Sequence, residues 1–398
     1  MVQKEKVFTE RNCDPDSDIR ACETGRYVAA DRGEVDSFEK ENVKPEVPVI
    51  QLGAGTVGRE LIRKIKTWNG SEANKPRYLH VGVADKSGFV TNKDGFSERD
   101  LIKITEEKST GEELAGIYPN KVGTIGSLES FLEGMESGVL IDVTDAERFE
   151  DLYRSALRRG WSVVLANKIP LTRIDSREFS RLKQSGLRYE TTVGAGLPVI
   201  STLDHLRDHG EKFKEIAAIL SGSLSFILSR LEVGADLQQA VREAKDKGYT
   251  EPNPAEDLLG KDVARKAVIL GRSLGLDFSL DDIELQPLVR LDNPDSSKLW
   301  PQLEAANSDL REKVNSAKSR DNRLRYVARI NGQGASVGLE EVPESGPLGQ
   351  GISTANVVLF RTDNYDDPPL IVQGPGAGPE VTAGGVFSDI KRCRARCR

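Results

Sequence analysis

Val49-Ile-Gln-Leu-Gly53-Ala-Gly55-Thr-Val-Gly58-Arg-Glu-Leu-Ile62 runs a β-branched strand into a tight turn and the start of an amphipathic helix, with GxGxxG at the junction. The first glycine permits the turn, the second lets the backbone approach a pyrophosphate, and the third lets helix and strand pack closely. Amide donors and the helix dipole then face the phosphates, with Thr56 and Val57 in the first turn. A plain glycine turn is the competing reading. The placement between strand and helix favours a dinucleotide site comprising Gly53, Gly55, Thr56, Val57 and Gly58.

Outward from this turn, short apolar runs alternate with amphipathic stretches, which predicts βαβ units on a parallel sheet. Strands are expected at Val47–Leu52, Tyr78–Ala84, Val139–Thr144, Ser162–Ala166 and Leu187–Thr191, with helices at Phe149–Arg159 and Asp175–Gln184. Beyond Gly196 the rhythm changes. Helices at Leu237–Lys247 and Gly260–Leu274 surround one apolar strand, Ile216–Leu220, and precede a strand pair, Arg325–Ile330 and Ser336–Val342. The charged segment Asp292–Asn322 is read as carrying a surface helix at Gln302–Val314, followed by strands at Asn356–Arg361 and Leu370–Val372 and a final helix after Gly374-Pro-Gly-Ala-Gly378. The expected fold class is α/β: a Rossmann-type doubly wound nucleotide-binding domain over 47–195 and an α+β substrate and dimerisation domain over 196–345. Residues 346–398 are expected to return to the nucleotide-binding domain.

The residue ending the second strand normally reads the adenosine ribose, and here Asp85 is followed by Lys86. An acid there would bond the 2′-hydroxyl of NAD and repel the 2′-phosphate of NADP, while the lysine would attract that phosphate, so NAD and NADP both stay open. Asp142-Val-Thr144-Asp145 puts small polar groups at the carboxyl edge of the sheet, with Thr144 against the nicotinamide half.

With 63 acids against 56 bases, both signs are mixed along the 398 residues, and no basic footprint for nucleic acid is present. The longest uncharged apolar stretch, from Ile216 to Ser229, is shorter than the roughly 20 residues of a membrane helix. The first 46 residues carry twelve acids, which argues against a leader peptide and predicts a loosely attached extension and a cytoplasmic address. Cys13, Cys22, Cys393 and Cys397 lie at the ends only and are expected to be reduced, exposed thiols. His205 and His209 lack a third ligand and read as surface helix residues.

Two lysines attract attention for different reasons. Lys168 follows an apolar strand in Leu165-Ala-Asn-Lys-Ile-Pro170 and so faces the ligand crevice, although a loop lysine can equally be a solvated one. Asp262 and Lys266 stand four apart on one helix face, after a loop whose two prolines aim Glu251 and Asp257 at the same helix start. A bare pair at that spacing is usually a solvated ion pair; the rigid acidic loop is what changes the reading.

The stretch Ala244-Lys-Asp-Lys-Gly248-Tyr-Thr-Glu251-Pro-Asn-Pro254-Ala-Glu-Asp257-Leu-Leu-Gly260-Lys-Asp262-Val-Ala-Arg-Lys266 resembles the signature of homoserine dehydrogenases at every signature position. Asn167-Lys168, Glu190-Thr-Thr-Val-Gly-Ala-Gly-Leu-Pro198 and Gly374-Pro-Gly-Ala-Gly378 extend the resemblance over about 47–390. It implies NAD(P)-dependent interconversion of L-homoserine and L-aspartate 4-semialdehyde, a step in threonine and methionine biosynthesis. Lys266 is then similar to the family's proton donor and acceptor, Lys168 to the lysine at the cofactor–substrate boundary, and Glu251, Asp262 and Asp257 to its substrate ligands. Gly248 and Gly378 fall at the cofactor. Reducing an aldehyde needs a proton for the forming alkoxide, which a lysine can supply, and an amino-acid substrate needs carboxylates for its ammonium.

The resemblance further implies a monovalent cation, Na⁺ or K⁺, held by a Glu190 oxygen and the carbonyls of Val193, Ala195 and Leu197, where the residues alone read as a hinge. It also implies a homodimer, and a short form without aspartokinase or ACT-type regulatory domain. Oxidation of the semialdehyde to an acyl phosphate is excluded, because it needs a cysteine nucleophile and none lies between Cys22 and Cys393. Another dehydrogenase of a small amino or hydroxy acid has no need of the Glu251, Asp257 and Asp262 set. A nicotinamide-binding regulator would need neither lysine.

Overall fold

The alternation that begins at residue 47 becomes a six-stranded sheet of β1 (Glu46–Leu52), β2 (Arg77–Asp85), β3 (Gly88–Thr91), β4 (Val139–Asp142), β5 (Ser162–Leu165) and β6 (Leu187–Arg188). The order is β3-β2-β1-β4-β5-β6, parallel throughout except for the β2–β3 hairpin. Chain order reverses at β1, which lies between β2 and β4. In an open α/β sheet the ligand crevice forms at the carboxyl ends of the strands at that reversal. This computed structural model describes residues 45–71, 76–292, 296–350 and 354–393, so nearly all of the acidic extension, the end after Cys393, and Cys13, Cys22 and Cys397 lie outside the described residues.

A second six-stranded sheet comprises β7 (Phe213–Ile219), β8 (Ile283–Leu285), β9 (Asn322–Asn331), β10 (Gly334–Pro343), β11 (Ala355–Thr362) and β12 (Leu370–Pro375). Its order is β12-β11-β7-β9-β10-β8, antiparallel except for β10–β8. Alternation along β7 sends Ile216 and Ala218 into the large shared core and Ala217 and Ile219 into a separate cluster with Val327, Val357 and Leu359 on the opposite face.

Several expectations need correction. Residues 346–398 do not return as a block, since β11 and β12 complete the second sheet and only the helix Pro379–Arg392 lies on the first. That helix buries Ala383, Val386, Phe387 and Ile390 against Leu61, Ile65 and Tyr78, with Phe387 edge-on to Trp68 and Tyr78 at 5.4 and 5.8 Å. The strand expected to reach Thr191 stops at Arg188. Glu190–Thr192 is a 3₁₀ turn whose partners come from elsewhere, Glu190 N donating to Asp389 and Thr191 Oγ1 to the Leu165 carbonyl.

The surface helix is longer than expected, Ser296–Lys318, and it is pinned by Leu299, Leu303, Leu310, Val314 and Ala317, an apolar stripe that dense charge obscured. Helices Glu98–Ser109, Leu114–Ile117 and Ile125–Glu133 were not anticipated. Cys393 is half-buried rather than exposed: its thiol donates to the Asp389 carbonyl, and burial pushes it up to about 12. His205 and His209 are exposed as expected, and no metal-ligating cluster of acids, histidines or cysteines occurs among the described residues. No helix there is long and apolar enough to cross a membrane.

Candidate active site

The helix Lys261–Ser273 places both members of the expected pair. Its N-cap, Gly260, has φ +70°, and a Cβ there would sit 1.9 Å from the Tyr326 hydroxyl oxygen, so glycine alone allows the helix to start this close to β9. In its first turn, Asp262 Oδ2 lies 2.7 Å from Lys266 Nζ, and its Oδ1 lies 3.3 Å from Lys168 Nζ. Lys266 Nζ also donates to the Leu220 carbonyl at 2.6 Å, at the end of β7. Two fixed acceptors thus orient a nearly buried ammonium. Burial works to raise the Asp262 carboxyl, but the two lysines outweigh it and hold the group well below the usual carboxylate range.

Lys168 comes from the other sheet. It follows β5, and its neighbour Asn167 fixes the loop by donating to Asp142 Oδ2 (3.1 Å) and the Ala146 carbonyl (2.7 Å) while accepting from Ile169 N (3.1 Å). Asp142, fully buried at the end of β4, also accepts from Thr144 N and Oγ1 at 2.8 and 2.7 Å and from the Tyr153 hydroxyl. Burial drives its carboxyl up despite these donors. One buried acid therefore ties the Thr144 loop to the Lys168 loop. Its role was missed, although an aspartate closing the apolar run Val-Leu-Ile-Asp142 is the signal that points to it.

The acidic loop forms the facing wall. Asp257 accepts from Ser223 Oγ at 2.7 Å and from Glu251 N at 2.9 Å, so it braces the loop that carries Glu251. Burial raises the carboxyls of both, reinforced at Glu251 by Asp257, Glu256 and Asp262. Such crowding of negative charge suits a cation such as a substrate ammonium.

These parts meet in a cleft of about 1550 Å³ at the chain-order reversal. Among the expected site residues, Thr56, Val57, Thr144, Lys168, Ala195, Gly248, Glu251, Asp257, Asp262, Lys266 and Gly378 line it. At the glycine turn, Gly53 has φ +100°, a Cβ on Gly58 would meet the Gly53 carbonyl oxygen at 2.1 Å, and a Cβ on Gly55 would meet nothing within 4 Å. The open face at Gly55 is the approach a pyrophosphate requires.

Asp85 and Lys86 are not brought to the cleft. Asp85 Oδ1 accepts from Ser87 N (2.8 Å) and Oγ (2.6 Å), while Oδ2 accepts from Lys108 Nζ (2.5 Å) and Leu114 N (2.9 Å). Burial works to raise this carboxyl, and the donors, Lys108 foremost, bring it below its ordinary value. The acid expected to read a ribose is thus consumed internally, while Lys86 points outward to Glu113 at 2.8 Å.

Around the expected cation loop, Glu190 Oε1 and Oε2 accept from Ile200 N (2.7 Å) and Ser201 N (3.0 Å), and the Leu197 carbonyl accepts from Val199 N at 2.8 Å. Gly194 and Ala195 are left-handed in succession, at φ +81° and +53°. For alanine this costs about 1 kcal/mol or more and persists only where the surroundings enforce it.

A family model described as homoserine dehydrogenase matches residues 198–390. A bifunctional aspartokinase/homoserine dehydrogenase of Haemophilus influenzae is 34% identical over 360 residues, 88% of this chain and 43% of that protein. One from Buchnera aphidicola is 39% identical over 366 residues, again 88% and 43%. The chain thus spans less than half the length of these relatives. A hyperthermophilic archaeal homoserine dehydrogenase in complex with NADPH superposes with TM-score 0.68 at 28% identity, over 87% of this chain and 96% of that one. A Candida auris protein of unknown function superposes with TM-score 0.77 at 28% identity, over 89% and 100%.

Proposed function

We propose, from the premise that the chain belongs to the homoserine dehydrogenase family, that it interconverts L-homoserine and L-aspartate 4-semialdehyde with a nicotinamide dinucleotide. The observation that carries this is the Lys266–Asp262–Lys168 set in the cleft, where the helix Lys261–Ser273 and the loop after β5 each contribute a lysine to one carboxylate. The glycine turn, with its open face at Gly55, fits a pyrophosphate on the helix amides. A dinucleotide held there would supply the hydride chemistry at the carbonyl carbon. Lys266 delivers a proton to the carbonyl oxygen as the alcohol forms and recovers it in reverse. Asp262 orients Lys266 and keeps both ammonium groups directed at the reacting end, while Glu251 and the loop braced by Asp257 hold the substrate ammonium.

Following nicotinamide absorbance with purified protein, homoserine and either dinucleotide tests this directly. Turnover dependent on homoserine is expected, and none with either dinucleotide would overturn the reading.

Two further readings rest on the family resemblance. The oxygens of Glu190, Val193, Ala195 and Leu197 are hard donors suited to Na⁺ or K⁺, and the enforced left-handed Ala195 supports a loop shaped for a ligand. Such a cation would hold the loop against the cleft. Stabilisation by KCl or NaCl over choline chloride, lost in Glu190→Gln, is the expected signature. The assembly is read as a homodimer pairing through β9–β10 and the strands flanking that loop, in a cytoplasmic setting. Sedimentation at micromolar concentration is expected to give twice the chain mass, and monomer alone would refute the pairing.

A further inference from the structure

Beneath the glycine turn lie two polar side chains that a sheet core does not need. Gln51, on β1, and His80, beside it on β2, are 0% and 1% exposed. Burying an amide and an imidazole is costly unless they are hydrogen-bonded. Gln51 Nε2 donates to the Gly53 carbonyl at 2.8 Å and to the Gly58 carbonyl at 3.0 Å, and Gln51 Oε1 lies 3.2 Å from His80 Nε2.

This arrangement has one consistent assignment. Two carbonyl oxygens can be faced only by the amide NH₂, which turns Oε1 to His80 and requires the proton on Nε2 of the ring. His80 Nδ1 is then a bare acceptor, and it is buried with no partner. Burial pushes the ring down to about 4, so it is neutral at physiological pH.

The amide therefore staples the first glycine of the turn to the last from inside the core. A trans peptide points its N–H opposite to its C=O, so holding the Gly53 carbonyl inward turns the Ala54 N–H outward. The Gly58 end is equally constrained, because a Cβ there would lie 2.8 Å from Gln51 Nε2 as well as 2.1 Å from the Gly53 oxygen. The strand pairing is adapted to the site, with a register shift that sets Val49 opposite His80 but Ile50 opposite Gly82. Such irregularities recur next to functional sites, where they re-aim a side chain.

We propose that Gln51 and His80 are positioning residues for the dinucleotide: Gln51 locks the Gly53–Gly58 turn with its amides presented to the pyrophosphate, and His80 locks the Gln51 amide in the only orientation that does so. The inference rests on the dinucleotide-binding reading of the turn, so NADPH and NADH titrations of the wild-type protein, followed by cofactor fluorescence, come first. Absence of binding there removes that reading itself.

In Gln51→Met the two donated bonds are lost at constant length. The dissociation constant is expected to rise about tenfold, the size of two ordinary hydrogen bonds, with kcat at saturating dinucleotide and the homoserine KM within about twofold. In His80→Leu the amide loses its orienting donor, and a rise of about threefold is expected. A side chain that only supports the fold would lower Tm without changing the affinity of the folded protein. Wild-type affinity in folded Gln51→Met overturns the proposal. Should that variant fail to fold, unchanged affinity in His80→Leu overturns it instead.

Discussion

Two aspartate–lysine pairs, one outside the cleft and one in its wall, do opposite things. Asp85–Lys108 closes at 2.5 Å with side chains 6% and 11% exposed, and Ser87 and Leu114 supply the remaining donors. Asp262–Lys266 closes at 2.7 Å, but the Asp262 side chain is 44% open and reaches a second lysine. Pair distance does not separate the two; what remains unsatisfied does. A carboxylate with every lone pair used is a structural post, whereas one shared by two lysines at a cleft wall still has chemistry available.

The largest effect that tests this contrast is at Lys266. Lys266→Ala removes the proton carrier and no part of the glycine turn, so kcat is expected to fall by about a thousandfold or more while dinucleotide affinity stays within about threefold. Loss of affinity with normal turnover at saturation would put the site elsewhere. Next come Glu251→Ala and Asp262→Ala. Glu251→Ala removes a substrate partner, and the homoserine KM is expected to rise at least about tenfold; Asp262→Ala removes the carboxylate that orients Lys266, and kcat is expected to fall by at least about tenfold. Unchanged steady-state constants in Glu251→Ala would show the acidic loop to be scenery, and in Asp262→Ala would show that Lys266 is positioned without that carboxylate.

Lys108→Met tests the other pair. It strands the Asp85 carboxylate in a buried position, which costs about 3 kcal/mol of stability, while kcat at saturation is expected to persist. Combining it with Asp85→Asn is expected to recover part of the loss, because the uncompensated charge is gone. A double variant as unstable as the sum of the two would mean that the pair is not coupled and that the contrast with Asp262 is accidental.

Much of this organisation was legible because local chemistry and tertiary role coincide. The glycine turn, Lys168 at a strand end, and the four-residue spacing of Asp262 and Lys266 each follow from local geometry. Asp85 was misread because its position at the end of β2 specifies a ribose contact, while its partners Lys108 and Leu114 arrive from helices that no periodicity announced. Asp142 and Gln51 were passed over for a related reason: their value lies in the backbone groups they hold, and those meet only after folding. The strand after residue 187 was overestimated because β-branched residues there serve a turn whose hydrogen bonds come from Leu165 and Asp389.

A buried acid whose opposing charges are arginines rather than a lysine sharpens the comparison. Asp389, 2% exposed on the C-terminal helix, accepts from Glu190 N at 2.9 Å and faces the Glu190 carboxylate, with the more distant Arg392 and Arg188 as its opposing charges. Burial drives its carboxyl up to about 7, well above the ordinary 3.8. The folded protein thus retains a proton that the unfolded chain has released, and stability falls as pH rises from about 4 to about 7, then levels off. Asp389→Asn keeps an acceptor for Glu190 N and removes the titration. The variant is expected to be the more stable form at pH 8, by on the order of 2 kcal/mol, with the gap narrowing steadily toward pH 5. Urea midpoints across that range measure it. A difference that does not change with pH would mean that Asp389 ionises in the fold as easily as in the open chain, and that burial without a lysine is no handicap in this structure.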